Sequence, residues 1–159
     1  MDTLNILVRS LHVVFVIFLV GAIAPSHIVA GTARRAGDPK MALGIWAAWF
    51  RIGKVSSMAA IGMIVTGVTL SFTMRYGFFP SDHVWLAMKQ AVMCIALVVV
   101  AMLMGPSRKA EKAVQEALNQ GGGLTDEVRA LIKKPANFAR ILDTLAFVNL
   151  VLALWRPGE

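Results

Sequence analysis

The chain has 159 residues, 57% of them hydrophobic and only 16% charged, with a positive mean hydropathy. That balance excludes an ordinary soluble domain and fits a small polytopic membrane protein, while a single cysteine, Cys94, excludes an internal disulfide and a zinc-finger framework. The net charge of +7 is not a nucleic-acid footprint, because the basic residues lack interleaved stacking aromatics and partition by side as membrane topology requires.

The first element is the run over residues 11–31, LHVVFVIFLVGAIAPSHIVAG, which contains no Asp, Glu, Lys or Arg. At about 1.5 Å per residue it reaches roughly 31 Å, enough to cross the hydrocarbon core. Arg9 ahead of an apolar run is also how a secretory signal opens, but the length of this run reads as a retained anchor. His12 lies near one end and His27 near the other. An imidazole at membrane depth is costly, which makes both of them functional candidates. Pro25 removes one helix hydrogen bond and predicts a kink or local opening just before His27.

Three further spans follow, at about residues 55–74, 84–104 and 138–155. In the second, Gly62, Gly67 and the Ser56/Ser57 pair suit close helix packing in lipid. The third holds one charge, Lys89, and the fourth contains Asp143 and Asn149. Four spans with short outer connections predict one all-α domain, an antiparallel four-transmembrane-helix bundle. Ten-residue alternating segments are absent, which argues against a barrel.

Residues 32–54 and 105–137 are expected as the two cytoplasmic loops. With Arg140 they carry twelve basic residues, against Arg9, Arg75, Lys89 and Arg156 elsewhere. The inside rule then places both termini on the periplasmic side of a bacterial cytoplasmic membrane. Asp38-Pro39 reads as an N-cap with Pro at the first helical position, so the second helix starts near Lys40 and runs long. Trp46 and Trp49 are then expected at the inner interface as aromatic anchors. After Gly105-Pro106, residues 107–120 form a charged helix pattern stopped by the glycines at 121–123. A further short helix starts at residues 125–127 and is limited by Pro135.

This threading produces two polar layers. His12 and Lys89 come level near the outer face, with Trp85 one turn above Lys89. His27, Arg51 and Asp143 come level at the inner end. There an Arg51–Asp143 ion pair with His27 hydrogen-bonded nearby is the structural expectation. In the outer layer, Lys89 can snorkel and His12 can bond a carbonyl or Ser10. Imidazole in an apolar four-helix bundle is also a common way to hold a haem iron. His83, Met74, Met88 and Met93 on the same side keep a soft-ligand copper site open.

The segments LHVVFVIFLVGA, FRIGKVSSMAAIGMIVTGVTLS and WLAMKQAVM together resemble a bacterial four-helix group that includes HemJ-type protoporphyrinogen oxidases and CopD copper-resistance membrane domains. The chain is most similar to a third branch, a predicted integral membrane protein family without an assigned role. That likeness extends through GGGLTDEVRALIKKP and the closing LVLALWRPG. The HemJ resemblance implies a b-type haem at His12 and Lys89, with Trp85 and Leu86 opening the second motif. The end of the first helix departs from the HemJ pattern, with IAPSHIVAG in place of a segment bearing Tyr, Pro and Arg, so the resemblance carries the cofactor rather than the reaction.

The leading expectation is therefore a haem-b membrane protein with a redox or electron-transfer role. In it His12 is the axial ligand, Lys89 is a second ligand or neutralises a propionate, and Trp85 closes the outer edge. One alternative is copper handling through His12, His83 and nearby Met residues. The other is a non-catalytic accessory or assembly subunit, packed against other membrane subunits or a second copy. No nucleophile–base set, phosphate loop or carboxylate pair supports hydrolase, kinase or glycosidase chemistry.

Overall fold

The computed structural model describes residues 3–155, and among them there is helix and no strand. Five helices follow in order, α1 Thr3–Gly21, α2 Ile23–Arg35, α3 Pro39–Thr73, α4 Val84–Asn119 and α5 Asp126–Trp155. α1 and α2 run on as one stretch, so four helical stretches are long and apolar enough to cross a membrane. The protein is an all-α four-helix bundle. Ile17, Val98 and Phe147 are among many large apolar side chains left on its outer surface, as lipid contact requires.

The interruption between α1 and α2 has a local cause. Pro25 has no N–H to give the Gly21 carbonyl four residues earlier. Ala22 stays close to helical, at φ −82° and ψ −15°, and the ladder resumes when Ser26 N–H donates to the Ala22 carbonyl. The start of α3 is as the sequence predicts. The Asp38 carboxylate accepts from the backbone N–H groups of Lys40 and Met41, at 3.0 and 3.3 Å, with Pro39 as the first helical residue.

The helices expected within the two basic segments are present, but the breaks expected between them and the spans are not. α4 passes Gly105-Pro106 without a break, and α5 begins at Asp126 and passes Pro135. α3, α4 and α5 thus extend well beyond the apolar spans, and these extensions hold most of the buried core. Leu43, Trp46 and Phe50 of α3 meet Ala110 and Val114 of α4 and Ile132 and Ala136 of α5. Trp46 and Trp49 are therefore not interfacial anchors. They are 4% and 9% exposed, packed edge to face with ring centres 5.5 Å apart. The physical reason is the solvent. Outside the bilayer an apolar helix face meets water and collapses onto its neighbours, whereas within lipid no such drive operates. Burial within this core holds Pro135 in its helix despite the missing hydrogen bond.

The two ends are closed differently. Between α3 and α4, Arg75, Gly77 and Phe79 adopt positive φ, and the Tyr76 and Gly77 N–H groups both reach back to the Ser71 carbonyl. Between α4 and α5, the Leu124 N–H donates to the Pro39 carbonyl at 3.0 Å. There Gly123 lies so close to α3 that an added Cβ would sit 2.7 Å from that of Pro39.

Candidate functional site

The His12 ring is positioned by α3. Its Nδ1 lies 2.8 Å from the Thr66 hydroxyl, which is itself within 2.7 Å of the Gly62 carbonyl and 3.1 Å of that of Met63. A hydroxyl has one hydrogen, and here two carbonyls compete for it, so toward the ring the oxygen accepts. In the tautomer that this arrangement favours, Nδ1 donates to the hydroxyl and Nε2 keeps its lone pair. Space for the ring comes from Gly67, where an added Cβ would stand 3.2 Å from His12 Cε1. One turn along, the Phe15 ring fills the place of a Gly62 side chain, with its atoms 2.5 Å from where a Cβ would be. The two glycines seat α1 on α3.

Polar side chains of the other spans make separate contacts. Gln90 of α4 is buried, donating to Ser71 Oγ and to the Gly77 carbonyl while accepting from the Phe79 N–H. Asn149 of α5 donates to the Lys89 carbonyl at 3.3 Å. The Lys89 ammonium lies 5.7 Å from the centre of the Trp85 ring, and its charge is near enough to act on His12. Lys89 is thus a neighbour of Trp85. Thr66 and Gln90 were not singled out from the sequence, although both are polar residues inside apolar runs. Serine and threonine are ordinary in such helices because they bond their own i−4 carbonyl, so the residue type carried no signal.

At the other end, His27 Nε2 lies 3.0 Å from Asp143 Oδ2. The expected Arg51–Asp143 pair does not form; Arg51 is exposed on α3, and the imidazole takes its place beside the carboxylate. Depth matched, but helical phase did not. Next to this pair α2, α3 and α5 enclose a cavity of about 220 Å³, lined by Ser26, His27, Arg34, Trp49, Arg140 and Asp143 among smaller residues.

Two of the groups considered for copper have contacts of their own. Met74 sulfur accepts from Arg9 at 3.3 Å, and the His83 ring packs edge-on against Tyr76. Among the described residues no three of His, Cys, Asp and Glu gather at one point.

Comparison of the chain with protein families, with curated proteins and with solved structures gives no match.

Proposed function

We propose that this is an integral membrane protein that binds b-type haem through His12 and serves a redox or electron-transfer role, as its resemblance to HemJ-like proteins implies. One observation carries the reading: the Thr66 hydroxyl lies 2.8 Å from His12 Nδ1, and an Nδ1–H donating to it leaves Nε2 as a neutral nitrogen donor. Imidazoles that ligate metals are held in this way, with the second ring nitrogen donating to a fixed acceptor. Gly67 fits the same reading, since a side chain there would crowd the ring. When bound, haem supplies a one-electron centre whose potential follows its axial ligands and surroundings. Lys89 contributes a nearby positive charge, suited to a haem propionate, and Trp85 covers the outer side of that amine.

The excess of Lys and Arg at the ends formed by residues 32–54 and 105–140 supports placing those ends in the cytoplasm and the termini on the outer side of a bacterial inner membrane. The test is the reduced-minus-oxidised absorption spectrum of detergent-purified protein. The expected result is a b-type signal that His12→Ala abolishes while the protein remains folded and membrane-inserted. Colourless wild-type protein, expressed with haem in supply, overturns the proposal.

A further inference from the structure

The cavity between α2, α3 and α5 carries more positive charge than its own groups neutralise. Arg34 enters it from α2 and Arg140 from α5, near enough for the two charges to repel. Its one carboxylate, Asp143, is already bonded to His27. Among the described residues neither guanidinium forms an ion pair. Arg34 rests instead against the Trp46 ring, 6.0 Å from its centre. Alanines of α2 and α5, together with Gly31, keep the space open where larger side chains would fill it.

The depth of the cavity narrows the occupant. Arg34 follows directly on the apolar run at 11–31, and Arg140 precedes the apolar part of α5. Both arginines thus lie where the hydrocarbon core gives way to headgroups. Guanidinium forks match phosphate oxygens two at a time, and basic pockets between spans at this level suit anionic headgroups. A carboxylate offers two oxygens and satisfies one fork. A phosphate offers enough for both, and it relieves the repulsion between them.

We propose that this cavity binds a phosphate group between the Arg34 and Arg140 guanidiniums, presented by an anionic lipid headgroup or by a small soluble ester. The site is separate from the His12 layer and does not depend on haem being bound there. Asp143 opposes the ligand electrostatically, while Ser26 adds a hydroxyl to the wall.

The test uses the full chain in phosphatidylcholine nanodiscs, with and without one-fifth phosphatidylglycerol, and retained lipid is read by native mass spectrometry. A parallel arm adds inorganic phosphate to the phosphatidylcholine discs and follows thermal unfolding. The wild type is expected to retain phosphatidylglycerol selectively. The Arg34→Gln/Arg140→Gln pair should lose that preference by about a hundredfold, roughly tenfold for each charge-assisted contact removed. Lys109→Gln/Lys134→Gln, which removes equal charge outside the cavity, should leave it unchanged. Asp143→Asn should strengthen retention, a change of sign that damage to the fold would not produce. Stabilisation by inorganic phosphate alone, lost in the arginine pair, identifies the same chemistry with a soluble source. Equal losses in the lysine and arginine pairs, or no dependence on either arginine in both arms, overturns the proposal.

Discussion

The Thr66 hydroxyl and the His12 ring form a contact whose value depends on direction. Thr66→Val keeps the side-chain volume and removes the hydroxyl that His12 Nδ1 contacts. Hydrogen bonds between spans contribute about 0.6 kcal/mol on average and up to roughly 2 kcal/mol, so a modest loss of stability in detergent unfolding is expected. Under the haem reading the same variant also weakens or shifts the haem spectrum, an effect that a purely structural contact would not produce. Gly62 offers a steeper test. A methyl group there falls among the atoms of the Phe15 ring, so Gly62→Ala should destabilise the α1–α3 pair by about 1–3 kcal/mol. Phe15→Ala in the same chain should recover part of that loss, and a double-mutant cycle by reversible unfolding checks the coupling.

At the scale of elements, two connections hold the bundle in register, and each depends on one polar side chain. The Asp38 carboxylate satisfies two N–H groups at the start of α3, and Asp38→Ala should cost about 0.5–2 kcal/mol. Gln90 ties the turn between α3 and α4 to the helices on either side of it. Gln90→Leu strands the Phe79 N–H and the Gly77 carbonyl, at about 1–3 kcal/mol for groups left unsatisfied. Its expected signature is faster amide exchange confined to residues 75–83, with the far end of the bundle unchanged. These elements were largely legible in the sequence. The capped start of α3 was read from Asp38-Pro39, and the opening ahead of His27 from Pro25. The continuity of α4 and α5 was not, because Gly105-Pro106 and Pro135 are breakers by local rule and only tertiary burial overrides them.

On the scale of the whole molecule, the best-packed part is not the part in the bilayer. Leu43 and Val114 have no exposed surface and Ile132 only 2%, whereas the first apolar stretch has no buried residue in its most hydrophobic window. Truncating Ile132 to Ala should therefore cost about 2–5 kcal/mol and open the basic helical extensions to protease. Truncating Val98, which faces outward at 60% exposure, should stay within about 0.5 kcal/mol. The two substitutions compared by limited proteolysis and thermal unfolding check this division.

Composition and hydropathy alone determined the class of this protein. Charge-free runs longer than the hydrocarbon core have no stable place in water, and backbone left unpaired in lipid must become helix. That His27 and Asp143 lie at one height was also readable, since rise per residue and span direction fix relative height. Side-chain facing was decided only by the tertiary structure. Helical phase turned Arg51 away from Asp143 and gave that carboxylate to His27, and it set Thr66 beneath His12 with two arginines around one cavity. Those are contacts between helices distant in the chain, and their rotation about their axes is fixed by packing that no local pattern encodes.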